Sequence, residues 1–288
     1  MLERHLSIHT LEAYGRDLKG LAHYASERHK TPIECSRADV EAYAQSLVEG
    51  GLHPRSMARQ LSAWRSFYAF LALNDAIGSN PAAEIPAPTL GRKLPVVLDL
   101  SEIDAMIEAI ELGAPGGHRD KAIVETLYGC GLRVSELLDI KLQDIFEREG
   151  VLRVIGKGDK QRLVPISATT LECLALYRDA VRASGKIDPV YRTHLFLNLR
   201  GQRLSRVYVF QMLRTLAAKA GVHKTLGPHT FRHSYASHLV NNGADLRAVQ
   251  ELLGHSSITT TELYAHLDSD RIRQALRDFH PRAQKNQA

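Results

Sequence analysis

The chain has 288 residues, 44% hydrophobic and 24% charged, with a net charge of +5. These numbers fit a globular protein of about two domains. They exclude disordered and collagen-like classes, and the lack of any run of 18 apolar residues argues against a membrane partner. The three cysteines, Cys35, Cys130 and Cys173, are widely spaced and odd in number, so they form neither a disulfide framework nor a zinc-ligand pattern. A reducing, cytoplasmic setting is expected, and the opening MLERHLSIHTLEAY lacks the apolar core of a signal peptide.

The charge permits a nucleic-acid partner, but it is uneven. Residues 1–90 hold 9 Lys/Arg against 10 Asp/Glu, whereas the remainder holds 28 against 22. Residues 1–73 read as helical. Leu11, Tyr14, Leu18, Leu21 and Ala25 recur at helical spacing. Ser36 with Asp39 marks a second helix start. A third segment, PRSMARQLSAWRSFYAFLAL, places Met57, Leu61, Trp64, Tyr68 and Leu71 on one face. Arg55 and Arg59 fall four apart on the other face, with Arg65 nearby. They are candidate ligands of DNA phosphates, or equally a solvated helix face.

Four prolines in residues 80–95 predict an extended linker between a helical domain over 1–79 and a second domain over 96–288. Ser101 and Asp104 suggest the first helix start of that second domain. VLRVIGKGDKQRLVPI reads as a β-hairpin, and residues 169–184, 205–220, 229–241 and 245–253 read as helices. The expected fold class is therefore mainly α: an all-helical first domain, then a mostly helical one with a small antiparallel sheet.

Four contexts carry residues suited to phosphate chemistry: GCGLRVSELL, GKGDKQRLVP, PHTFRHSYASHL and LGHSSITTTELYAH. Two glycines before Arg133 break a helix and let the backbone turn. An arginine there can clamp phosphate oxygens with its planar fork, or pair with a carboxylate such as Glu136. Lys157 lies in the hairpin turn, which is no Walker loop because the required spacing and the following helix are missing. Pro228 suits a first helical turn, and His229 and Arg232, three apart, share one helix face. Phe231, Tyr235, Leu239 and Val240 are expected to face the core. His229 and His233 have the spacing of a zinc pair, but Thr230 stands where a hydrolase glutamate would be, so no metal is expected. His255 follows the helix-terminating Gly254, and Tyr264 comes nine residues later.

With these motifs in order, the chain resembles the tyrosine recombinase family. Its nearest likeness is to the Xer group, and HRDKAIVETLYGCGLRVSELL with FLNLRGQRLSR leans to the XerD branch over XerC. The resemblance extends over nearly the whole chain and implies a C-shaped clamp on duplex DNA. It implies that Tyr264 attacks the scissile phosphate, giving a 3′-phosphotyrosyl link. Arg133 and Arg232 would then hold the non-bridging oxygens, Lys157 would protonate the leaving 5′-oxygen, and His229 and His255 would assist. Recombination would pass through a Holliday junction and resolve chromosome dimers at cell division. The implied partners are a double-stranded recombination site, a second Xer-type recombinase in a heterotetramer and a DNA translocase of the division machinery. Because one phosphate ester replaces another, no cofactor is needed. A mobile-element integrase of the same superfamily and a non-catalytic DNA-binding protein are the alternatives.

Overall fold

The computed structural model describes residues 8–89, 96–156, 160–183, 185–254 and 278–284. The chain divides into two compact units, Met1–Lys93 and Leu94–Ala288.

The first unit is built on three helices, α1 (Ile8–Ser26), α2 (Arg37–Glu49) and α3 (Pro54–Leu73). Helix α2 starts where expected: the Ser36 hydroxyl accepts from the Asp39 amide, and the Asp39 carboxylate accepts from the Ser36 amide at 2.8 Å. The apolar face of α3 forms the centre of the core, with Met57, Leu61, Trp64 and Tyr68 all buried. Trp64 and Tyr68 can be buried because their polar atoms are satisfied: the Trp64 indole donates to the Asp17 carbonyl at 3.4 Å, and the Tyr68 hydroxyl to the Pro32 carbonyl at 2.8 Å.

The segment expected as a linker from residue 80 begins as part of this unit. Ala82 and Ile85 are buried in the same core. Arg65 fixes them, donating to the Ala82 carbonyl at 3.1 Å and the Ile85 carbonyl at 2.6 Å. Prolines do rule out a regular helix here, but they leave side chains and carbonyls free to pack.

The second unit contains α4 (Leu100–Glu108), α5 (Gly117–Gly129), α6 (Val134–Asp139), β1 (Ile145–Phe146), β2 (Val151–Ile155), β3 (Gln161–Pro165), α7 (Ala168–Leu176), α8 (Arg206–Lys219), α9 (Pro228–Asn241) and α10 (Leu246–Leu252). Helix α4 is capped by Asp99 rather than Ser101. Glu102, three residues on, reaches back to the Asp99 amide at 2.7 Å, and Lys224 holds both carboxylates. The hairpin is present as read, with Leu152 opposite Val164 and Ile155 opposite Gln161. Strand β1 adds a third antiparallel strand, giving the order β1-β2-β3. Helix α7 continues as a π-helical turn over Tyr177–Arg182.

Helix α5 runs through the middle of the unit, buried on nearly every side. Against it and α9 sits the segment 278–284. His280 is fully buried between the rings of Tyr128 and Tyr235, and Arg282 pairs with Asp104 at 2.7 Å and Glu125 at 3.2 Å. The three thiols are all buried and unpaired. Burial pushes each upward in pKa, Cys130 to about 12.

Between α5 and α6 the chain reverses at Gly131, which has φ +58°. A Cβ there would stand 2.5 Å from the buried Tyr235 ring. Two penalties therefore coincide, a left-handed backbone and overlap with a packed ring. Gly131→Ala should lower stability by about 2–5 kcal/mol, measured as a shift in the urea midpoint at unchanged m value.

Candidate active site

Arg133 stands at the junction the glycines create, as the N-cap of α6. Its position brings Glu136, one turn on, back to the helix start. The Glu136 carboxylate accepts from the Arg133 amide at 2.9 Å and from Arg133 Nη1 at 2.8 Å. Both sequence readings of Arg133 therefore meet in one place. It pairs with Glu136, yet its side chain remains 35% exposed, and the pair uses only part of its five N–H donors.

Arg232 reaches the same carboxylate from α9. Pro228 opens that helix, and the side with Phe231, Tyr235 and Leu239 is wholly buried. Val240, expected in the core, is instead 41% exposed, because it lies one residue beyond the stripe that Leu239 completes. Arg232 is 6% exposed. It donates from Nη1 to the Gly131 carbonyl at 2.9 Å and from Nη2 to the Leu253 carbonyl. Its Nη1 lies 3.7 Å from Glu136 Oε2, an ion pair without a hydrogen bond.

A third arginine, which sequence reasoning missed, completes the group. Arg162 on β3 places Nη1 2.8 Å from Glu136 Oε1 and Nη2 2.9 Å from Oε2. Its Nε donates to the Leu252 carbonyl at 3.1 Å. The signal was present in QRLVP: strand alternation places Arg162 on the face of the fully buried Val164. A charged residue at an inward position needs a buried partner.

Three guanidinium groups thus surround one carboxylate, leaving a local charge of +2 among these four side chains. Burial and then the neighbouring Arg133 pull Arg232 down to about 10, only partly offset by Glu136. Burial would raise the Glu136 carboxyl, but hydrogen bonds and charge from Arg162, then bonds from Arg133, outweigh it and hold it at about 2. His229, in the first turn of α9, is open to solvent on one side. Desolvation, followed by the positive charge of His233, Arg232 and Arg133, lowers its pKa, so its ring is neutral at neutral pH and able to accept a proton. Lys157, His255 and Tyr264 lie outside the described residues.

The other candidate residues belong to the first unit. Arg55 is exposed on α3. Arg59 is paired with the buried Asp17 while 42% of its side chain stays exposed. Arg65 is half-buried, and its guanidinium donates to the carbonyls of residues 82 and 85. Among the described residues, no group of three or more His, Cys, Asp or Glu side chains is arranged to hold a metal ion, and no helix is long and apolar enough to cross a membrane.

Residues 96–271 match the Phage integrase family, and residues 1–74 match the N-terminal SAM-like domain of phage integrases. The chain belongs to the phage integrase family. It is a tyrosine recombinase, an enzyme of site-specific DNA cleavage and religation. The recombinase is 40% identical over 283 residues to the tyrosine recombinase XerD of Staphylococcus aureus strain Mu50, covering 98% of this chain and 96% of that one. It is 42% identical, with the same coverage, to XerD of Staphylococcus saprophyticus. Among solved structures, the XerH recombinase in a post-cleavage complex with its palindromic difH substrate superimposes with a TM-score of 0.72 at 25% identity, over 92% of this chain and 78% of that one. The leaning to the XerD branch and the mainly helical fold class with a small antiparallel sheet both hold.

The depressed Glu136 makes stability depend on pH. A carboxylate whose folded pKa lies below its ordinary 4.5 stabilises the fold fully above that value and loses the contribution as pH falls toward about 2. That contribution is roughly 3 kcal/mol. Urea unfolding followed from pH 5 downward should show this loss, and Glu136→Gln should flatten the slope in that window.

Proposed function

We propose that the recombinase cleaves duplex DNA with Tyr264 as nucleophile, while Arg133 and Arg232 bind the non-bridging oxygens of the scissile phosphate. The observation that carries this reading is the under-neutralised arginine group around Glu136. Clustered guanidinium groups with a surplus of positive charge, Arg133 among them partly exposed, are suited to an oxyanion whose charge grows in the transition state. A phenol is a weak nucleophile at neutral pH and a sugar alkoxide a poor leaving group, so both need proton partners. His229, kept neutral by its surroundings, takes the tyrosine proton; Lys157 supplies one to the 5′-oxygen; His255 donates to the phosphate.

In this reading residues 1–79, with the segment to Ile85 that packs into their core, form a core-binding domain, the rest of 80–95 a connection and 96–288 the catalytic domain. Arg55, and the exposed part of Arg59, contact DNA phosphates. The XerD relatives support a role in resolving chromosome dimers in the cytoplasm, through a Holliday junction formed with a second Xer-type recombinase and activated by a DNA translocase.

The test is a nicked suicide duplex carrying the dimer-resolution site of the source chromosome, incubated in EDTA and run on a denaturing gel. A covalent protein–DNA adduct is expected, and Tyr264→Phe should bind the duplex equally well yet form none. An adduct with that variant sinks the assignment. Arg133→Lys keeps the charge but loses the fork, and should slow adduct formation by about 10²-fold or more.

A further inference from the structure

We infer that Arg162 is a positioning residue of the recombination reaction, one that occupies Glu136 so that Arg232 is not captured by it and remains available to phosphate. The inference rests on the reading of Arg133 and Arg232 as phosphate ligands.

The argument is one of acceptor capacity. A carboxylate offers about four lone-pair sites, two on each oxygen. Here all are taken. Oε1 accepts from Arg133 Nη1 and Arg162 Nη1, and Oε2 accepts from the Arg133 amide and Arg162 Nη2. Arg232 is left at 3.7 Å from Oε2, with its nearest bonds to backbone carbonyls. Without the Arg162 fork, one site on each oxygen falls vacant, and Arg232 lies 3.7 Å from Oε2. Glu136 would then draw in Arg232, which ought to hold substrate.

Arg162 also fixes the end of α10. Its Nε holds the Leu252 carbonyl while Arg232 holds that of Leu253, so two guanidinium groups cap adjacent carbonyls at the negative end of that helix. Gly254 follows with φ +70°, and a Cβ there would lie 3.1 Å from Arg162 Cδ. Gly254 therefore lies directly over the Arg162 stem. One side chain joins β3, the helix start that carries Arg133 and the end of α10.

The experiment compares Arg162→Lys, Arg162→Met and Arg162→Met/Glu136→Gln on a nicked duplex that the wild-type chain cleaves, measuring the single-turnover rate of adduct formation and the Kd for the duplex separately. Lysine keeps the charge without the fork, so Arg162→Lys should fold and bind within about threefold of wild type while its cleavage rate falls by about 10-fold or more. Arg162→Met should lose at least as much rate. The added Glu136→Gln, which removes the charge that captures Arg232, should recover part of it. Wild-type cleavage by Arg162→Lys, or a loss of binding as large as its loss of rate, overturns the inference. So does a double variant no faster than Arg162→Met. Arg133→Lys serves as the control: if it cleaves normally, the phosphate-ligand reading itself has failed, whereas a slow Arg133→Lys beside a normal Arg162→Lys refutes the role of Arg162 alone.

Discussion

A single buried carboxylate organises the second unit of this recombinase. Glu136 is 5% exposed, and a charge that far from water persists only with hydrogen bonds to most of its lone pairs. Meeting that requirement brings α6, α9 and β3 to one point, and the end of α10 follows because the same arginines hold its last carbonyls. Removing Glu136 would leave three cations facing one another, so the anion is structural before it is anything else. The local excess of positive charge that remains is what a phosphodiester can relieve.

Helix α9 shows how fold and chemistry share one element. Its buried side, Phe231, Tyr235 and Leu239, anchors it against the core, and Arg232 extends from the boundary between that side and the site. Tyr235 packs on Gly131, whose carbonyl is itself held by Arg232. Behind the same tyrosine lies His280, whose pKa burial drives down to about 3, so it remains an uncharged wedge between aromatic rings. The position of Arg232 thus depends on apolar contacts two layers deep.

Much of this was legible in the sequence. The break at GCGL, the hairpin, the helix start at Ser36 and the apolar stripe of α3 all followed from local rules: glycine conformations, alternation, capping and helical period. Local rules failed where two chemistries competed for one position. Ser101 is an acceptable cap, but Asp99 with Glu102 is a better one because it also recruits Lys224. Arg59 and Arg65 share α3 with an exposed arginine, and only tertiary structure reveals Asp17 and the carbonyls of Ala82 and Ile85 as their partners. Arg162 went unnoticed for the same reason. Its partner lies 26 residues away, and no periodicity links a strand to the start of a helix.

The three cysteines have a consequence for handling the protein. The thiolate is the form that oxidants and maleimides attack, and burial withholds it at Cys35, Cys130 and Cys173 alike. The folded recombinase should therefore need no reducing agent to keep its three thiols reduced, and a lone cysteine introduced on an exposed surface position would take a fluorophore selectively, opening single-molecule observation of strand exchange without first stripping the native thiols.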